Sequence, residues 1–183
     1  ALAELAFSFF TCGDDQTIKI WDKRTFSSQI EINAGATLNS LALLPSGYHI
    51  IVCSESGFIA IYDARNSDYL QKINTGSKPV RSIALSPDNT SLIAALQNGQ
   101  TVCYSVNNES LKENYTIQSS KDVQVRCTVS PDSKIFATTA ADNTSKIWDI
   151  KTGELKYELV GGEKREWVWD AKFTADSSKL CTG

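Results

Sequence analysis

The chain has 183 residues, a net charge of −3 and no stretch dense in lysine or arginine. It therefore lacks the basic surface that phosphate binding needs, and nucleic acid is a poor candidate partner. Its apolar residues 1–10 are too short to cross a bilayer and lack the basic flank of a signal peptide, so we expect a cytoplasmic protein with no membrane span.

Short apolar runs separated by turn residues predict β-strands along the whole chain. The first part of the chain predicts a partial sheet, with strands at residues 5–12, 17–22 and 28–32. The next part predicts strands at 38–43, 50–54, 58–63 and 69–73, and the same order then recurs. The chain divides into pieces at about 1–33, 37–74, 79–118, 123–160 and 167–183.

Two sets of landmarks recur with one period. The aromatic residues Trp21, Tyr62, Tyr104 and Trp148 lie 41, 42 and 44 residues apart. A turn position follows in step at Pro45, Pro87, Pro131 and Ala175. A tight hairpin is expected six residues before each aromatic, at Asp15, Ser56, Asn98 and Asp142.

A period of about 40 to 45 residues that ends in Trp-Asp is typical of a WD-repeat β-propeller, in which each repeat forms a four-stranded blade. The predicted fold class is therefore all-β, an incomplete WD-repeat propeller with about four blades. No initiator methionine is present and the last predicted strand stops short, so we expect part of a longer propeller. The alternative is a four-bladed ring whose two ends complete one blade together.

Residue types that carry catalysis or bind metals are sparse. The single histidine, His49, lies inside the strand YHIIV, where we expect a structural role with its polar atoms satisfied at a blade surface. Five cysteines occur singly, without a C-x-x-C pair, and we expect them to be reduced and mostly buried. No phosphate-binding loop motif is present. We therefore predict no enzyme activity, no cofactor and no metal.

Two large aromatic residues, Trp167 and Trp169, mark a candidate partner-binding site. They precede an inner strand, whose entry opens onto one rim of a propeller, and tryptophan is over-represented at binding hot spots. Counted from the turn landmark, the positions equivalent to Trp169 are Asn39, Arg81 and Val125. We predict partner-binding roles for Trp167, Trp169, Arg81 and Asn39. The alternative is that both tryptophans alternate with Ala171 and Phe173 and pack inward.

A second short motif suggests a different class of function. Trp21-Asp22-Lys23-Arg24 and, with Tyr in place of Trp, Tyr62-Asp63-Ala64-Arg65 match the W-D-x-R pattern of WD-repeat proteins that act as substrate receptors or adaptors of cullin-RING ubiquitin ligases. In the other interpretation each arginine braces its own blade.

The last two repeats carry a closer resemblance. The segments SPDSKIFATTAADNTSKIWDIKTGELKYEL and EWVWDAKFTADSSKL resemble the G-beta-like (LST-eight) family of target-of-rapamycin complex subunits. Weaker similarity extends to Val80-Arg81-Ser82 and to Gly13 through Asp22. The chain differs from that family where Gly161-Gly162 replaces a Gly-His pair and where the third repeat ends in Tyr104-Ser105.

The resemblance implies a non-catalytic scaffold subunit that binds and stabilises the kinase domain of a target-of-rapamycin kinase. It implies seven blades in the whole propeller, of which this chain would supply the third to the sixth, and it places Trp167 and Trp169 at the contact rim. The expected partners are therefore proteins, with the kinase first among them.

Overall fold

A computed structural model describes residues 1–4, 7–76, 78–107, 109–161 and 167–183. Within these ranges the regular elements are β-strands, which form four four-stranded sheets and one two-stranded sheet. The strands group into two compact units, residues 1–80 with Glu109 and Ser110, and residues 81–107 with 111–183. The prediction of an all-β fold is confirmed.

The first sheet contains strands β1 (Leu2–Glu4), β2 (Ser8–Cys12), β3 (Thr17–Asp22) and β4 (Ser27–Asn33), in that order. The sequence predicted only three strands here and did not predict β1, because three residues are too few to show a periodic pattern. The structure pairs β1 antiparallel with β2. The first sheet is therefore complete in its strand number.

The second sheet contains β5 (Leu38–Leu43), β6 (His49–Ser54), β7 (Phe58–Asp63) and β8 (Tyr69–Asn74). Every residue of β6 and β7 is buried, whereas β8 is mostly exposed. A strand that is apolar throughout must be covered on both faces, so β6 and β7 form the middle of the sheet and β8 its outer edge.

The core of the first unit lies between these two sheets. Strands β1 and β2 pack against β5, and buried side chains from both sheets form one continuous cluster. Ile18, Ile50 and Val52 in this cluster have no exposed surface. Burial of apolar side chains of this size stabilises the unit by roughly 1.5 to 3 kcal/mol each.

The second unit contains the remaining sheets, apart from the first residues of two strands, Val80 and Ser110. The third sheet comprises β9 (Val80–Leu85), β10 (Ser91–Leu96), β11 (Gln100–Asn107) and β12 (Ser110–Gln118). In sequence and structure β10 repeats the pattern of β6, with all six residues buried.

The fourth sheet comprises β13 (Gln124–Val129), β14 (Ile135–Ala140), β15 (Thr144–Asp149) and β16 (Leu155–Val160). A two-stranded sheet follows, with β17 (Ala171–Phe173) antiparallel to β18 (Leu180–Thr182).

Neighbouring sheets of the second unit are joined by apolar packing and by their turns. Phe136, Trp148 and Ile93 belong to one buried cluster that spans the third and fourth sheets. The turns repeat a hydrogen bond: the Asp88 amide donates to Ser133 Oγ, and the Asp132 amide donates to Ser177 Oγ, each over 3.1 Å. Because each bond joins turns 45 residues apart, it fixes one repeat against the next.

Candidate partner-binding site

Three of the equivalent repeat positions lie at the same point of their sheets. Asn39, Arg81 and Val125 are each the second residue of an inner strand, β5, β9 and β13. The strand register shifts across Asn39 and across Val125, as it does at a β-bulge. A bulge leaves one residue unpaired and changes the direction of its side chain. Trp169 differs, since β17 begins two residues later, at Ala171.

In the second unit the structure brings three of the four predicted binding residues together. They line a pocket of about 240 Å³, which we call the tryptophan pocket. Its lining residues are Arg81, Val123, Gln124, Val125, Trp167 and Trp169. Of these six residues, Arg81 carries the charge, and four of the others supply apolar walls. Asn39, the fourth predicted residue, lies in the first unit.

Trp167 and Trp169 form an exposed aromatic pair. Their ring centroids lie 4.8 Å apart, with ring planes tilted by 31°. Trp167 is 46% exposed and Trp169 is 63% exposed. Inward packing would have buried both rings, as it does the side chain of Ala171. Their exposure favours the binding interpretation, although their role in binding a partner stays a prediction.

Backbone hydrogen bonds hold the segment that carries the pair. The Trp169 amide donates to the Gly183 carbonyl over 2.7 Å, and the Val168 amide donates to the Ala140 carbonyl over 3.4 Å. These bonds tie the residues before β17 to β14 and to the residue after β18. The two rings are therefore presented from a backbone with fixed partners, which lowers the entropy cost of binding.

The base of the tryptophan pocket is held by a buried polar network. Gln124 is fully buried, and its Nε2 lies 2.7 Å from Ser119 Oγ. Ser119 Oγ also lies 3.1 Å from the Gly99 carbonyl oxygen and shares a hydrogen bond of 2.6 Å with Thr101 Oγ1, in which either hydroxyl can be the donor. The amide of Gln124 is assigned with its NH₂ group towards Ser119 Oγ.

This orientation leaves Gln124 Oε1 buried without a donor among the described residues. Sequence reasoning missed Gln124, because a single glutamine at the start of a strand carries no pattern. Its position directly before Val125 is the signal that could have identified it. The network fixes the strand on which Val125 is presented.

An ion pair connects the strand that carries Val125 to the segment before β17. Arg126 Nε is 3.2 Å from Asp170 Oδ1, and both side chains are about half-exposed. The pair connects β13 to the segment that carries Trp169. An exposed pair of this kind contributes little to stability, about 0 to 1 kcal/mol, so its effect is mainly on the position of the segment.

Asn39 makes contacts of a structural kind. Its Nδ2 donates to Glu55 Oε2 over 2.8 Å and to the Val80 carbonyl over 2.9 Å. An amide nitrogen has two hydrogens, so both are used. Asn39 therefore supports its own unit, and a partner could reach only the rest of its side chain.

The two arginines of the W-D-x-R motifs bind their own aspartates. Arg65 reaches Asp63 with Nη2 at 2.6 Å and Nε at 3.0 Å, and its guanidinium stacks 3.8 Å from the centroid of the Tyr48 ring. Arg24 holds Asp22 through the same two atoms, at 2.6 and 3.0 Å.

Hydrogen bonds from these arginines lower the pKa of Asp22 and of Asp63 to about 2. Both contacts fit the interpretation in which each arginine braces its own blade.

The single histidine is buried, 4% exposed, and lies inside the first unit. Its Nε2 lies 3.5 Å from Glu109 Oε1 and 3.7 Å from Asp63 Oδ2, and it makes no hydrogen bond to the described residues. The expectation that the polar atoms of this histidine are satisfied is therefore wrong for Nε2. Packing of Tyr48 against the imidazole ring, 4.7 Å between centroids, explains the burial.

The described residues contain no cluster of three or more His, Cys, Asp or Glu side chains that could hold a metal ion. Nor do they include a helix long and apolar enough to cross a membrane.

Comparison with known proteins identifies the repeats. The family description "WD domain, G-beta repeat" matches residues 5–22 and 112–149. The chain is 29% identical over 169 residues to "Protein LST8 homolog" of Drosophila melanogaster, covering 88% of this chain and 53% of that protein.

Two further relatives carry similar names. The chain is 28% identical over 174 residues to "Target of rapamycin complex subunit LST8" of Bos taurus, covering 87% of this chain and 53% of the relative. It is 30% identical over 146 residues to "Target of rapamycin complex subunit wat1" of Schizosaccharomyces pombe, covering 77% and 46%. The chain thus spans about half the length of the curated relatives it matches. The predicted WD repeats and the predicted resemblance to the LST-eight proteins are confirmed.

Proposed function

We propose that this chain is a non-catalytic scaffold subunit of a target of rapamycin complex. The premise is that it is an incomplete WD-repeat β-propeller that resembles the LST8 subunits of such complexes. In this function it binds the kinase of the complex and stabilises the kinase domain, in the cytoplasm. The observation that carries the proposal is the resemblance itself, which extends over 87 to 88% of the chain in the Drosophila and Bos proteins.

The contacts of the described residues support a binding function over a catalytic one. The exposed tryptophan pair is the kind of surface on which partners dock, because large aromatic side chains supply much contact area at low entropy cost. The histidine, the usual proton carrier of enzymes, is instead buried among Tyr48, Asp63 and Glu109.

The decisive experiment replaces both tryptophans by alanine. The tagged protein, with Trp167→Ala and Trp169→Ala together, is purified from its own cells and the bound proteins are identified by mass spectrometry. We expect the unchanged protein to copurify with a very large kinase and the double variant to lose it. Loss of a tryptophan hot spot costs about 2 kcal/mol or more, which corresponds to a weakening of about 30-fold or more.

A matched control removes exposed aromatic side chains elsewhere. Phe26 is 78% exposed and Tyr69 is 62% exposed, and both lie in the first unit. The variant with Phe26→Ala and Tyr69→Ala should retain the kinase. The proposal would be refuted if a cullin adaptor copurified in place of the kinase and if Arg24→Ala or Arg65→Ala abolished that copurification. Such a result would identify a ubiquitin-ligase receptor.

A further inference from the structure

We propose that a pocket beside His49 binds the ammonium group of a lysine side chain on a protein partner. The site belongs to the first unit and shares no residue with the tryptophan pocket. The inference therefore goes beyond the proposed function and does not depend on it.

The pocket, which we call the histidine pocket, measures about 210 Å³. Its lining residues are Leu44, Pro45, Ser46, Tyr48, His49 and Glu109. Three of them supply apolar surface, and Glu109 supplies a negative charge. Sites for whole small molecules usually measure about 300 to 1,000 Å³, so a space of this size suits a single side chain.

His49 brings a hydrogen-bond acceptor to this pocket. Its side chain is buried, and Nε2 makes no hydrogen bond to the described residues. Two carboxylate oxygens face Nε2, Glu109 Oε1 at 3.5 Å and Asp63 Oδ2 at 3.7 Å. An N–H group at this position would draw a carboxylate oxygen to about 2.7 to 2.9 Å if the ring were charged. The longer distances indicate a neutral ring that carries its hydrogen on Nδ1 and leaves Nε2 as an acceptor.

The pocket therefore lacks a donor. Asp63 Oδ2 already accepts a hydrogen bond from Arg65 Nη2 over 2.6 Å, whereas Nε2 is unused. A buried acceptor without a donor costs free energy, and a donor that enters from the pocket removes this cost. The Glu109 side chain is 58% exposed, so it is free to shift and admit the incoming group.

The charge of the site selects a cation. Arg65 holds Asp63 through two nitrogen atoms and offsets its charge, so the carboxylate of Glu109 is left to pair with a ligand. A carboxylate of a partner would be repelled. A metal ion would need Asp63 as a ligand, and the described residues form no metal-binding cluster.

The spacing of the acceptors selects an ammonium group among cations. Nε2 and the two carboxylate oxygens converge on one point, which suits the compact ammonium of lysine and its three rotating donors. A guanidinium group instead needs acceptors spread along one plane. The methylene groups of the lysine would lie along Leu44, Pro45 and Tyr48.

The single histidine of the chain provides the assay. In the protein labelled with ¹⁵N-histidine, the two ring nitrogens of His49 report their own protonation and hydrogen bonding. The probes are Nα-acetyl-lysine methylamide and Nα-acetyl-norleucine methylamide, which has a similar carbon chain without the ammonium group. We expect the lysine probe to move the Nε2 signal in a saturable way, and the norleucine probe to leave it in place.

The variant Glu109→Gln tests the charge. Its affinity for the lysine probe should fall about two- to fivefold, as expected for loss of a partly exposed ion pair. The matched control is Glu31→Gln, an exposed glutamate of β4 in the same unit, which should leave the affinity unchanged. Unchanged thermal midpoints show that both variants are folded. Three results would overturn the inference: equal responses to the two probes, an unchanged affinity in Glu109→Gln, or ring signals of a charged imidazole in the free protein.

Discussion

Two repeats carry the same aromatic pair in different surroundings, and this offers a direct test of the packing described above. Phe136 stacks on Trp148 with centroids 6.3 Å apart and planes tilted by 16°, and Phe9 stacks on Trp21 at 5.7 Å and 5°. The pairs lie at equivalent repeat positions. Phe136 has no exposed surface, however, whereas Phe9 is half-buried. The same substitution at both positions therefore isolates the effect of burial.

We expect Phe136→Ala to lower the free energy of unfolding by about 3 to 5 kcal/mol, because it removes a fully buried ring and leaves a cavity beside Trp148. Phe9→Ala should lower it by about 1 kcal/mol, since about half of the 1.5 to 3 kcal/mol for burying a phenylalanine is lost and solvent fills the space. Against a typical total of 5 to 15 kcal/mol, the first change is severe and the second mild.

The free energies are measured by guanidinium unfolding, followed by far-ultraviolet circular dichroism, with the slope of each transition compared to confirm that the same surface is exposed. A loss for Phe9→Ala as large as that for Phe136→Ala would refute the reasoning. So would a loss below about 1 kcal/mol for Phe136→Ala, since the buried ring would then contribute no more than the half-buried ring of Phe9.

Three further predictions follow from single sites. Cys181 is exposed and should react rapidly with a thiol reagent in the folded protein, whereas Cys127, whose pKa is raised to about 11 by burial, should react only after denaturation. Gly99→Ala should destabilise the protein by at least about 2 kcal/mol in thermal unfolding, because the φ of Gly99, 81°, disfavours a side chain and the new methyl group would collide with backbone carbonyl oxygens. Gly13→Ala is the control and should have little effect, because a methyl group at Gly13 would meet no atom within 4 Å. The hydrogen bonds from Arg65 lower the pKa of Asp63 to about 2, so the stability that the Asp63 carboxylate contributes is present above pH 3.8 and is lost as the pH falls towards 2. The thermal midpoints of the unchanged protein and of Asp63→Asn should therefore converge as the pH falls over that range. A constant difference between the two midpoints would contradict the assignment.

The positions of the strands could be predicted because one turn chemistry recurs. Each predicted hairpin residue is followed directly by a residue with positive φ: Gln16 at 64°, Gly57 at 85°, Gly99 at 81° and Asn143 at 64°. Glycine and asparagine adopt this conformation at low cost, so residue type marks three of these turns, whereas Gln16 is identified only by the aspartate before it and by the repeat period. The strands between the turns then follow from their apolar content.

The geometry of the candidate site could not be predicted in the same way. A bulge at Val125 depends on how two strands pair, and no residue type marks it. The polar network around Gln124 depends on Ser119, which lies in the loop before β13, and on Thr101, which belongs to the more distant strand β11. Sequence reasoning therefore found the exposed aromatic residues but not the residues that form the base of the pocket.

The four tryptophans show how a repeat can serve both stability and recognition. Trp21 and Trp148 occupy the repeated position, donate their indole hydrogens to a threonine of the adjacent strand and stack on a phenylalanine. Trp167 and Trp169 lie just before a strand, stack on each other and stay about half-exposed. A tryptophan with partners inside its own sheet has little contact area left for another molecule. Because the exposed pair lies outside the repeated stacking pattern, its substitution should weaken binding and leave the packing between strands intact.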